Sequence, residues 1–252
     1  MGNGRSTNRR QPVEAKDHAA AAYLHRSKRT HMERKIVGIV LFDNIEVLDF
    51  CGPFEVFSAT RLNEKKRLEE PSPFDLLLVA EKSEPVVTTG GMKVIPDCTF
   101  ETCPRLDILC VPGGWGTRTE LKNPVMLDWL RTRVSEVELL TSVCTGSMLL
   151  GFAGLLDGHH ATTHWRSLDW MRESFPSVSV EYDKHVVEDG SLITSAGISA
   201  GIDMALNVVA RYCGEPVARA TARHMEYPYP DDNSRRIQLY STIGTTGPGT
   251  GR

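Results

Sequence analysis

The chain has 252 residues, 40% of them hydrophobic and 24% charged, which is enough apolar material for one substantial core. Net charge is −3, unevenly spread: Met1–Arg34 holds eight Lys/Arg against three Asp/Glu, and Lys35–Arg252 holds 21 against 29. The body is therefore mildly acidic, which argues against a nucleic-acid partner, and no apolar run of about 18 residues is present to cross a membrane. Six cysteines without a CxxC pair point to a reduced, cytoplasmic protein.

Residues 1–33 are rich in Gly, Ser, Asn and Arg and read as a disordered, dispensable basic leader. Met1-Gly2-Asn3-Gly4-Arg5-Ser6 has the form of a myristoylation pattern, but Met32 stands just before the first strand, so a non-native leader or an upstream start is the plainer explanation. The apolar run Lys35–Phe42 predicts a central parallel strand covered on both faces. Val47, Leu48, Phe54, Val56 and Phe57 follow at helical spacing and predict a helix kinked or broken at Cys51-Gly52-Pro53. Phe74–Ala80 predicts a second strand, and Pro85–Pro96, divided by Gly90-Gly91, a hairpin. Leu106–Val111 predicts a buried strand ending at Pro112-Gly113-Gly114, whose glycines leave backbone amides open to a ligand.

A helix over Pro124–Val134 leads to the strand Val137–Val143, and Cys144-Thr145-Gly146 then opens the helical run Ser147–Ala153. Beyond it come the extended stretch Ala161–His164, a helix over Ser167–Phe175, strands near Val178–Val187 and Ser191–Ser195, and helices over Ala200–Tyr212 and Pro216–Glu226. This alternation predicts one α/β domain over residues 34–229, a flavodoxin-like parallel sheet sandwiched by helices, with residues 230–252 as a flexible tail.

In such a sheet ligands sit beyond the carboxyl ends of the strands, where Cys144, Gly113-Gly114 and the segment after Phe42 all fall. A cysteine at a strand-to-helix elbow sees the positive end of the helix dipole, which lowers its pKa and makes it a nucleophile near neutral pH; Gly146 supplies the small residue of the turn. Free cysteines are also commonly small buried hydrophobes, and that reading stands beside the catalytic one. His160 and His164 lie four apart, but the segment between them reads as extended, so no metal is expected. Cys98, Cys103, Cys110 and Cys213 read as packing residues, while the Asp49 segment brings Cys51 nearer the pocket.

Val111-Pro112-Gly113-Gly114, Ser142-Val143-Cys144-Thr145-Gly146 and Ala161-Thr162-Thr163-His164-Trp165 together resemble the ThiJ/PfpI (DJ-1/PfpI) superfamily of class I glutamine-amidotransferase-like proteins, from about Arg34 to Tyr229. Asp43–Phe57 is similar to the branch that contains isonitrile hydratases and the ligand-binding halves of AraC-type regulators. The resemblance implies that Cys144 is the nucleophile, that Asp49 is its acidic partner, with Glu46 the acidic competitor, and that Thr145 assists. It also implies that Gly113, Gly114, Gly146 and His164 line an oxyanion and substrate site. Family peptidases usually have His after the nucleophile; Thr145 stands there instead, which argues against peptide hydrolysis and for addition of water to an isonitrile.

No cofactor is implied, the substrate is a small molecule, and relatives of this type pair as homodimers. A ligand-sensing module of the AraC type and a cysteine-based stress-response protein are the alternatives. The AraC reading is disfavoured by the few residues after Glu226, which leave no room for helix-turn-helix motifs.

Overall fold

The computed structural model describes residues 34–237; the expected leader and most of the expected tail lie outside them. Seven strands form one sheet in the order β10-β11-β7-β6-β1-β2-β5. β1 (Lys35–Leu41) pairs in parallel with β2 (Phe74–Ala80) and β6 (Ile108–Val111), β6 with β7 (Leu139–Val143), and β7 with β11 (Leu192–Ser195). β5 (Cys98–Thr99) extends one edge in parallel, and β10 (Val186–Asp189) closes the other edge antiparallel to β11.

The central strands are apolar throughout because both faces are covered: all four residues of β6 and all five of β7 are buried. Of the polar groups buried with β7, Thr141 Oγ1 donates to Leu109 O at 3.2 Å and the Ser142 carbonyl accepts Ser195 Oγ at 3.1 Å, while Ser142 Oγ has no hydrogen-bond partner among the described residues. α1 (Val47–Ala59) packs with α6 (Ala200–Cys213) and α7 (Glu215–His224). A second group is formed by α2 (Thr117–Glu120), α3 (Pro124–Val134) and α4 (Gly146–Phe152), with α5 (Leu168–Ser174) further along the chain. The helices are thus divided into two layers, as a doubly covered sheet requires. Among the described residues no helix is long and apolar enough to cross a membrane.

Several local expectations are corrected. α1 runs unbroken through Pro53, because Gly52 and Pro53 are buried and packing against α6 outweighs the lost amide donor. The 85–96 segment does form a hairpin, β3 (Val86–Val87) with β4 (Lys93–Val94), turning at Gly91 with φ +81°. The extended stretch after His159 shrinks to β8 (His160–Ala161), paired with β9 (Ser179–Val180).

Nor is the chain loose from residue 230. His185 N–H donates to Asn233 O at 2.9 Å, Lys184 and Ser234 form a bridge, and the Arg235 guanidinium donates to Tyr182 O and Thr162 Oγ1, each at 2.7 Å. The residues up to 237 therefore cover the β10 side of the body.

Candidate active site

β1 ends in the 42–46 loop, β6 in the 112–116 loop, β7 directly in Cys144, and β11 in the 196–199 turn. Parallel strands end on the same side, so these four segments share one edge of the sheet. The first two loops are stitched together: Glu46 N–H donates to Gly113 O at 2.9 Å and Gly116 N–H to Asn44 O at 3.0 Å. Gly114, at φ +131°, lies so close to Glu46 that a Cβ would strike its backbone nitrogen.

Cys144 sits in the elbow between β7 and α4 with φ +56°, a left-handed conformation that costs a non-glycine residue about 1–3 kcal/mol. Three hydrogen bonds hold it there. Its N–H donates to Ala196 O at 3.0 Å, and its carbonyl accepts from Ser147 Oγ at 3.0 Å and Thr163 Oγ1 at 2.9 Å. The helix can start so close to β6 because Gly146 has no Cβ; one there would collide with the Val111 carbonyl oxygen.

Asp49, in the first turn of α1, is fully buried. Its Oδ2 accepts Gly113 N–H at 2.9 Å, and Oδ1 is buried without a partner of regular hydrogen-bond geometry. The Cys144 thiol stands against the same carboxyl, within hydrogen-bonding reach. Burial raises the carboxyl from an ordinary 3.8 to about 7, with Glu46 adding to the rise while the Gly113 amide and the thiol oppose it.

Burial also dominates at Cys144, lifting its thiol well above the usual value, and the Asp49 carboxylate lifts it further. The Thr145 amide and hydroxyl and the Ile198 amide oppose that rise. The expected lowering by the helix terminus is thus overturned, because desolvation and a neighbouring anion outweigh the donors at the sulfur. The two groups form an acid pair in which a thiol beside a carboxylate carries the same single proton as a thiolate beside a carboxylic acid.

A model of the DJ-1/PfpI family matches residues 35–211. The chain belongs to the DJ-1/PfpI family. It is 36% identical over 200 residues to the isonitrile hydratase of Pseudomonas putida, covering 79% of this chain and 81% of that protein. It is 37% identical over 164 residues to the HTH-type transcriptional regulator CdhR of Pseudomonas aeruginosa, covering 64% of this chain and 48% of the regulator. A ThiJ/PfpI family protein from Pseudomonas syringae superposes with a TM-score of 0.70 at 31% identity, over 83% of this chain and 82% of the other.

Within this DJ-1/PfpI site the structure brings Cys144, Asp49 and Thr145 together and gives the other expected residues different work. The Gly113 amide is engaged by Asp49 and the Gly114 amide by Thr145 Oγ1 at 3.1 Å, so neither is a free oxyanion donor. Gly146 serves close packing. His164 accepts Arg166 N–H on Nδ1 at 3.3 Å and caps the short turn Trp165–Ser167, with its ring edge over Gly197. It is not among the groups that shift the thiol, and burial lowers its own pKa.

His160 is paired with Glu181 at 2.7 Å, away from any joint site with His164, and among the described residues no cluster suited to a metal forms. Cys98 and Cys103, both read as packing residues, lie close enough for each thiol to shift the other, and Cys103 Sγ donates to Pro104 O at 3.5 Å. Sequence reading missed Ile198, a β-branched residue at φ +54° whose amide faces the sulfur, and Thr117, whose hydroxyl lies 2.9 Å from that of Thr145. The only sequence signal for Ile198 was its place just after the β11 end.

Proposed function

We propose that this chain is an isonitrile hydratase-like lyase that adds water to a small isonitrile, R–N≡C, to give an N-substituted formamide. One observation carries the reading: a thiol on a strained elbow faces a fully buried carboxyl raised to about 7, with the Thr145 hydroxyl and amide at the sulfur. The similarity to isonitrile hydratase over most of both chains supports it.

In the singly protonated pair the thiol proton passes to Asp49. The terminal carbon of the isonitrile accepts that proton from Asp49 while the Cys144 sulfur attacks the same carbon, so one C–H and one C–S bond form and the triple bond becomes C=N. Asp49, now a carboxylate, takes a proton from water as its oxygen adds to the thioimidate carbon, and returns the proton to nitrogen. Collapse of the adduct breaks the C–S bond, the hydroxyl proton returns to the Cys144–Asp49 pair, and R–NH–CHO leaves. The Thr145 and Ile198 amides and the Thr145 hydroxyl stabilise the sulfur anion whenever it forms.

Incubation with cyclohexyl isocyanide and mass spectrometry of the products tests this; N-cyclohexylformamide is expected from the native protein and none from Cys144→Ala. If the native protein makes none and binds the isonitrile reversibly, the second reading takes over: a ligand-sensing module, favoured by the 37% identity to CdhR. We assign the chain to a homodimer with a separate pocket in each protomer, as relatives of this type pair; light scattering at micromolar concentration checks it, and a monomer mass overturns it.

A further inference from the structure

Thr117 opens α2, is fully buried, and its side chain has one hydrogen bond among the described residues: its Oγ1 lies 2.9 Å from Thr145 Oγ1. Either hydroxyl could be the donor, but their surroundings are unequal. If Thr145 donated to Thr117, the Thr117 proton would have no acceptor in a dry environment, an outcome as costly as a lost hydrogen bond. If Thr117 donates, its proton is used, and Thr145 Oγ1 accepts twice, from Thr117 and from Gly114 N–H at 3.1 Å.

A hydroxyl has two acceptor positions and one proton, so Thr145 is then saturated as an acceptor and its proton must point elsewhere. Two acceptors are in reach, Gly114 O at 3.3 Å and the Cys144 sulfur. The carbonyl contact is long for an O–H···O bond, which makes it a weak resting place that an anionic sulfur out-competes.

We infer that Thr117 is a positioning residue for the nucleophile: by donating to Thr145 it turns the Thr145 proton toward the Cys144 sulfur and so stabilises the thiolate. The inference rests on Cys144 being the reactive thiol of the proposed function, but not on the identity of the substrate. Two donors on Thr145 Oγ1 also polarise its O–H bond and strengthen what it gives the sulfur.

The test is the rate of Cys144 alkylation by iodoacetamide across pH 6–10, followed by peptide mass spectrometry on the full chain, with a melting temperature for each variant. Thr117→Val should slow labelling at pH 7.5 by roughly three- to tenfold, the size of one hydrogen bond, and move the profile to higher pH. Thr117→Ser, which keeps the hydroxyl, should restore the native profile even where both variants melt lower.

Because Thr117 acts through Thr145, adding Thr117→Val to Thr145→Val should slow labelling no further than Thr145→Val alone. A native profile or faster labelling in Thr117→Val, failure of Thr117→Ser to restore it, or additive losses in the double variant each overturn the inference. Alkylation needs no isonitrile, so the expected pattern without formamide formation would reject the hydratase and leave the role of Thr117 standing.

Discussion

Asp49 and Asp203 are the same side chain in nearly the same setting, each in the first turn of a helix and each almost wholly buried, and they are treated in opposite ways. Asp203 is surrounded. Its Oδ1 accepts Tyr227 OH at 2.8 Å, and its Oδ2 lies 2.9 Å from His185 Nε2 and 2.6 Å from a guanidinium nitrogen of Arg236. Asp49 has one backbone amide, the thiol and no cation, and its carboxyl is raised to about 7 in consequence. A buried carboxyl with basic side chains against it joins elements, here α6, the residue before β10 and the segment after α7. One left under-partnered keeps its proton near neutral pH and is available for proton transfer.

The largest effect that separates the two is on rate. Asp49→Asn keeps shape and removes the acid, so formamide formation should fall by roughly 10²–10⁴-fold, the range for loss of a general acid–base group. In the native protein kcat/KM should rise with pH through about 7, because the reactive pair holds one proton and gains its second below that value. A bell centred below pH 6 would contradict this protonation scheme.

Stability reverses the ranking. Asp203→Ala strands two basic partners in or near the core and should cost about 3–5 kcal/mol, a fall in Tm of roughly 10 °C by calorimetry, while the alkylation profile of Cys144 stays native. Asp49→Asn should do the contrary. A carboxyl with a raised folded-state pKa binds more protons folded than unfolded, so it removes stability as pH rises from 3.8 to about 7. The variant lacks that loss, so its stability relative to the native protein should rise by an amount that grows between pH 4 and 7 and then levels, on the order of 4 kcal/mol, read as a widening gap in Tm. A constant Tm difference across that range would show that the Asp49 carboxyl is not the group losing its proton there.

How much of this was legible in the sequence divides along the same line. Continuous apolar runs such as Lys35–Phe42 and Leu106–Val111 mark buried parallel strands, and a cysteine between a strand and a helical run marks the elbow, because both signals are local. Pro53 misled because tertiary packing holds α1 together across it. The pKa of Cys144 misled because the helix terminus is visible in the sequence, whereas the burial and the Asp49 charge that outweigh it depend on the fold.

Thr117 and Ile198 were invisible for a related reason. Each reaches the site through a single long-range contact, 28 residues away in sequence for Thr117 and Thr145. The partners of Asp203 come from the residue before β10 and from the segment after α7, and nothing in the sequence spacing of His185, Tyr227 and Arg236 joins them.

The smallest effect is the finest test of the contrast. Tyr227→Phe removes the hydroxyl that donates to Asp203 Oδ1 at 2.8 Å and leaves the ring, so packing is kept and one hydrogen bond to a buried carboxylate is lost. The same hydroxyl accepts from Arg236 at 3.1 Å, so the guanidinium also loses a partner but keeps Asp203 Oδ2. The expected cost is about 1–2 kcal/mol, at the low end for a bond to a charged group because Arg236 is partly exposed and water can replace what it loses. That corresponds to a fall in Tm of roughly 2–6 °C, with Cys144 labelling and formamide formation unchanged. Arg235, next to Arg236, donates to Thr163 O, and Thr163 Oγ1 holds the Cys144 carbonyl. If Tyr227→Phe slows Cys144 labelling, the Asp203 cluster is coupled to the elbow through that path, and the two carboxyls are not the independent devices their surroundings describe.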